Sequence, residues 1–152
     1  AYFKNELVSV MTFGKQRRVL GNKKNSNNEY EMIRFCVGKH HVVGIANRLF
    51  MTFVREYSPS IVVSYADRRW TTLNNVYNTL GFELVSSGTP NYWYVGNGNI
   101  REYRFNYRKH VLRNKLNKYD STLSEWENMK TNGYDRIWDC GSFKFEWNYQ
   151  KN

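Results

Sequence analysis

Acidic residues are scarce: 13 Asp and Glu face 23 Lys and Arg, a formal net charge of +10. A negatively charged partner is therefore the leading expectation. Cysteine is scarcer still. Cys36 and Cys140 are far apart, with no Cys-x-x-Cys spacing and no run of histidines beside either. A zinc site and a disulfide framework are both poorly supported, and two buried thiols in a reducing compartment are expected in preference to a bridge. Every apolar stretch is soon interrupted by charge, and residues 1–10, AYFKNELVSV, lack the basic start and small-residue cleavage site of a signal peptide. Neither membrane spanning nor secretion has support.

Catalytic signatures are also missing. Metal-dependent cleavage of a phosphodiester needs clustered carboxylates or histidines. The sequence holds no His-Asn-His, no Gly-Ile-Tyr with Tyr-Ile-Gly, and no Pro-Asp with Glu-x-Lys. No metal site and no nuclease centre are expected. Asp120, Glu125, Glu127, Asp135 and Asp139 are near one another in sequence, but Thr122 or Ser124 ahead of Glu125 and Glu127 is the pattern of a capped helix start. No local pattern supports Ser-His-Asp or Cys-His catalysis.

What is present is apolar and aromatic mass. Hydrophobic residues make up 41% of the 152 and aromatics 17%, enough to exclude disorder and to build one domain. Residues 2–13 read as a hairpin and 30–37 as a short buried strand, with a basic, Asn-rich loop between them. Ile45, Leu49, Phe50, Phe53 and Val54 recur at spacings of three and four, which predicts a helix over 42–57. Pro59 stops it, and Ile61-Val-Val is the apolar run of a strand buried on both faces. A second helix is expected over 71–80, then strands over 82–86 and 92–95. Residues 101–118 carry seven basic side chains and one acidic, with Val111, Leu112 and Leu116 as an apolar face. They predict a basic helix, with Asn106 a candidate cap. A helix over 123–129 follows, then a terminal hairpin from 137–138 and 143–147. The fold class expected is α/β: a mixed central sheet flanked by helices, its core over 2–95, with the basic helix and hairpin appended over 101–147.

His41-Val-Val-Gly44-Ile-Ala46, after a strand and opening a helix, has the makings of an anion site. Together with Tyr77-Asn-Thr-Leu-Gly81-Phe82 it resembles the Gcn5-related N-acetyltransferase (GNAT) superfamily over roughly residues 7–95. The resemblance implies a GNAT-like fold and, as an alternative function, acetyl-CoA-dependent N-acetyl transfer. His41, Gly44 and Ala46 would then line the cofactor, and Tyr77 would act as general acid. His41 stands where the family has Gln or Arg, and Trp70 where it has Asn. Tyr77 packed between helix and sheet, and Gly44 and Ala46 allowing close packing, are the structural alternatives.

A second resemblance spans nearly the whole chain. Leu-Val-Ser-Val-Met-Thr-Phe-Gly (7–14), Ser-Tyr-Ala-Asp-Arg-Arg-Trp (64–70), Leu-Gly-Phe-Glu (80–83), Pro-Asn-Tyr-Trp-Tyr (90–94) and Gly-Tyr-Asp-Arg-Ile-Trp-Asp-Cys-Gly (133–141) are similar to a domain of bacteriophage homing endonucleases, which often follows a separate nuclease module. It implies a targeting domain of a mobile genetic element that binds double-stranded DNA in the cytoplasm of an infected bacterium, without its own nuclease centre or cofactor. The chain is expected to be part of a longer protein.

The residues themselves nominate the contacts. Lys15, Arg17, Arg18, Lys23 and Lys24 form the basic loop. Arg68, Arg69 and Trp70 join two planar guanidiniums to a ring at the end of a strand, with Asp67 holding one arginine as the structural alternative. Arg101, Arg104 and Arg108 at spacings of three and four, with Lys109, Arg113 and Lys115, would form a phosphate-contacting helix face. A solvated charge run is the plainer reading, and an acidic protein partner is a third function.

Overall fold

Lys4 and Asn5 adopt positive φ values of 46° and 63°, a tight turn that folds β1 (Tyr2–Phe3) onto β2 (Glu6–Leu7), so the hairpin expected over 2–13 is confined to 2–7 and residues from Ser9 pair elsewhere. The computed structural model describes residues 1–16, 28–40, 42–96 and 98–149. Arg17, Arg18, Lys23, Lys24 and His41 lie outside the described residues. The chain gathers into two units, residues 1–88 with 142–152 and residues 89–141, where the sequence suggests one core over 2–95.

The first unit is built on a five-stranded mixed sheet of β3 (Ser9–Lys15), β4 (Glu29–Val37), β5 (Ile61–Asp67), β6 (Glu83–Ser87) and β10 (Ser142–Asn148), in the order β3-β4-β5-β10-β6. Only β4 and β5 are parallel neighbours. A parallel pair needs a crossover, supplied by α1 (Ile45–Tyr57). Phe50, Phe53 and Val54 bury one face of α1 against Met32, Val62, Phe82, Phe145 and Trp147. The helix ends at Ser58, whose φ is 44° and whose N–H donates to Val54 O, just before Pro59. The second helix is much shorter than expected. Asn75 caps α2 (Val76–Thr79) through the N–H groups of Tyr77 and Asn78. Its side chain and that of Thr72 hold the preceding residues in local bonds that compete with helix, and Leu73 is exposed.

The second unit holds a three-stranded antiparallel sheet, with β7 (Tyr92–Val95) between β8 (Arg101–Tyr103) and β9 (Asp135–Trp138). The continuous basic helix does not form. Residues 101–103 pair with β7, Arg104–Tyr107 make a 3-10 turn, and α3 (Lys109–Leu112) is a single turn whose N-cap is Arg108, not Asn106. The apolar periodicity is real, because Leu112 and Leu116 enter a core with Tyr94, Tyr107 and Met129. Cross-strand pairing overrides the propensity of the residues ahead of it. The terminal hairpin is also absent: β9 pairs with β7, whereas β10 returns to the first unit and pairs with β5 and β6.

Ser124 caps α4 (Glu125–Thr131) in a complete capping box with Glu127, the pattern anticipated. Buried Asn128 secures the incoming loop, donating to the carbonyls of Asp120, Leu123 and Ser124 and accepting from Asp120 N–H. Cys36 and Cys140 are free, as expected, but both are exposed and not buried. Among the described residues no helix is long and apolar enough to cross a membrane. Replacing the cap, Ser124→Ala, is expected to lower unfolding stability by about 1 kcal/mol. Denaturant unfolding checks it; an unchanged midpoint would show that the box contributes nothing.

Candidate nucleic-acid interface

In open α/β sheets, ligands approach at the carboxyl ends of the strands. Here β4 and β5 stay paired only from Glu29↔Ile61 to Glu31↔Val63. Beyond that they part, with Ser64 Oγ donating to Met32 O (2.9 Å) at the fork. At the mouth of the fork, Asp67 starts a turn. Trp70 N–H returns to Asp67 O (3.2 Å), and Asp67 Oδ1 accepts the backbone N–H of Arg69 (2.8 Å). The carboxylate therefore organises the loop backbone, not an arginine side chain. Each guanidinium lies on a ring instead: Arg68 is 5.4 Å from the centroid of Phe143, and Arg69 4.9 Å from that of Trp70. Trp70 is 74% exposed, so this loop offers cationic and aromatic groups together.

The α1 end of the fork is only partly as expected. Gly44 has φ 74° and no side-chain cap forms there; a Cβ on it would meet nothing within 4 Å, so glycine serves the backbone turn and not close packing. Ala46, by contrast, packs against the core. Tyr77 stacks on Phe145 at 4.6 Å and meets Phe82 edge-on, which is the packing alternative. Lys15, at the end of β3, sits 4.4 Å from the Tyr30 ring centroid.

In the second unit the basic residues do not make one helical row. Arg101 is exposed on β8. Arg104 lies over both Tyr92 and Phe105 and donates to Asn91 Oδ1 (2.8 Å), while Arg108 covers Phe105 at 4.4 Å. Lys115 lies over Tyr107, and Lys109 and Arg113 are exposed around α3. Sequence reasoning missed two features. Arg136 is held inside the unit between Tyr92 (4.3 Å) and Trp126 (4.2 Å). Trp93, Tyr103 and Phe105 form an exposed aromatic row; only the alternation of Tyr-Trp-Tyr against Arg-Glu-Tyr hinted at it.

Two carboxylates of this unit face inward. Glu125 Oε1 accepts from the hydroxyls of Tyr94 (2.7 Å) and Tyr92 (3.3 Å), and Glu102 accepts from Tyr107. Burial first, then these hydrogen bonds, push the Tyr94 and Tyr107 phenols well above the ordinary tyrosine range. Among the described residues no three of His, Cys, Asp and Glu cluster as metal ligands.

No family model matches the chain, and no curated protein does. Among solved structures it is similar to a Bacillus subtilis acetyltransferase in complex with CoA, with a TM-score of 0.51 and 13% identity over 97% of this chain and 72% of that one. The fold is GNAT-like. Within this fold, β4 and β5 are joined by the parallel β4-α1-β5 crossover and part beyond Glu31 and Val63, while residues 89–141 enter the sequence between β6 and β10.

The two raised phenols give a pH dependence. Neutral in the folded chain and ionising at about pH 10 once unfolded, they contribute stability that is complete below that pH and falls as pH rises towards their folded values. Tyrosinate absorbance, followed with circular dichroism, should show two tyrosines ionising only with unfolding. Ionisation of every tyrosine in an intact fold would contradict the two buried networks.

Proposed function

We propose that this chain binds double-stranded DNA as the targeting part of a homing-endonuclease protein of the bacteriophage type, the strand-cutting centre belonging to a separate module. The observation that carries the reading is the way arginines are presented. Arg68 and Arg69 on the first unit, and Arg104 and Arg108 on the second, sit over aromatic rings at 4.4–5.4 Å from the ring centroids, while the neighbouring Asp67 and Glu102 engage a backbone N–H and a tyrosine hydroxyl. Apart from the Arg104 bond to Asn91, guanidiniums held this way keep their donors for phosphate oxygens and guanine edges. The +10 net charge supplies the long-range attraction.

The second reading is acetyl-CoA-dependent N-acetyl transfer, favoured by the GNAT-like fold and by Gly44 at the uncapped start of α1. Against it, Tyr77 is stacked in the core.

One experiment separates them. Fluorescence anisotropy of a labelled random-sequence duplex, titrated across a salt series with acetyl-CoA as competitor, should show binding that weakens steeply with salt and ignores acetyl-CoA. Arg68→Gln, Arg69→Gln and Arg108→Gln together should reduce the slope of log K against log salt by about 2–3, near one per lost phosphate contact. An unchanged affinity and slope would remove these arginines from the interface. Absence of duplex binding, with saturable acetyl-CoA binding abolished by Gly44→Glu, would establish the second reading.

A further inference from the structure

We infer that the outer face of the β8-β7-β9 sheet binds unpaired nucleic-acid bases, an inference that rests on the DNA-binding reading and adds a substrate form to it. The register sets Trp93 opposite both Tyr103 and Ile137, so all three side chains share the face turned away from the Tyr94 core. Trp93 and Tyr103 have ring centroids 5.2 Å apart, and Tyr103 and Phe105 follow at 5.0 Å. These rings are 37%, 44% and 36% exposed. The row is contiguous, not a scatter of single apolar residues.

Its surroundings indicate the occupant. At the Phe105 end, Arg108 stands 4.4 Å from the ring centroid. Arg101, two residues before Tyr103 on the same strand, projects on the same face. Cations therefore border the β8 side. The exposed carboxylate of Asp135 stands on the opposite edge, across Val95 from Arg101, and confines a polyanion to the β8 side. An apolar protein partner would not call for two arginines at the rim, and a duplex presents base edges, not base faces. Bases freed from pairing have faces to stack on Trp93, Tyr103 and Phe105 while the arginines follow the phosphates. A chain that binds duplex through Arg68, Arg69 and Arg108 could use this row, beside Arg108, to hold a locally opened stretch.

The test measures anisotropy of the full chain with labelled oligothymidylate, which has no duplex form of its own, and with a duplex of equal length. Trp93→Ala and Tyr103→Ala are each expected to weaken oligothymidylate binding about tenfold, the scale of one lost base-stacking contact, while duplex affinity changes less than twofold. Trp93→Phe should restore most of the loss, and oligothymidylate should quench Trp fluorescence in the parent but much less in Trp93→Phe. Trp93 is on an exposed face, so far-ultraviolet circular dichroism should be unchanged in each variant. Duplex binding with no oligothymidylate binding, or oligothymidylate binding indifferent to Trp93→Ala, overturns this inference alone. Equal losses for both ligands also overturn it, making the row a duplex contact. If neither ligand binds, the DNA-binding reading itself fails and takes the inference with it.

Discussion

Pairing of β10 with both β5 and β6 is the contact on which the architecture depends. Every residue of β10 has a partner on β5, from Ser142↔Asp67 to Asn148↔Ile61, and four also face β6. Because β10 lies between them, the sheet stays incomplete until the chain has passed through residues 89–141 and returned. The exit and re-entry are tied together where Gly88 N–H donates to Ser142 O at 2.7 Å. A Cβ on Gly88 would approach that oxygen to 3.2 Å. An insertion whose ends meet at one point can vary its interior without disturbing the host sheet. A long-range strand pairing of this kind also places the closure of the first unit late in folding.

Aromatic rings do for the arginines what carboxylates do in many proteins. Arg136 is clamped inside the second unit by Tyr92 and Trp126, its Nε buried without a hydrogen-bond partner. Four others are set on rings nearer the surface. The acidic side chains have different tasks: Asp67 shapes a turn, Ser124 and Glu127 close a capping box, and Glu125 collects two tyrosine hydroxyls. Hydrogen bonds from the side chain and N–H of Ser124 hold the Glu127 carboxyl below its usual range, and those from Thr122 do the same for Asp120. Among the described residues, Arg68, Arg69, Arg104 and Arg108 are thus placed by rings, which hold a guanidinium without neutralising it.

Local signals were legible wherever one segment decides its own structure. The three-and-four spacing from Ile45 to Val54 reads as the helix it forms, Ile61 to Val63 as the buried strand, and Ser124 with Glu127 as a cap. The fold class followed from that order. Failures occurred where distant pairing decides. Arg101 to Tyr103 look helical in charge and spacing, yet β7 captures them. Asp139-Cys140-Gly141 look like a hairpin turn, but Asp139 Oδ1 accepts from Asn91 and Gly141 N–H groups and directs the chain from one sheet to another. The aromatic row was scarcely legible for the same reason: Trp93 lies on a separate segment from Tyr103 and Phe105, and only the register puts Trp93 and Tyr103 side by side.

The five tryptophans give the most direct measurement of the central claim, because their indole N–H resonances report five separate places. Trp126 and Trp147 are in the two cores, whereas Trp70 and Trp93 stand on the two proposed contact surfaces. In a heteronuclear NMR titration with duplex DNA containing an unpaired stretch, Trp70 and Trp93 should shift progressively and Trp147 should stay in place. If neither Trp70 nor Trp93 moves while acetyl-CoA shifts the amides around Gly44, the chain is not a DNA-targeting domain of the kind proposed.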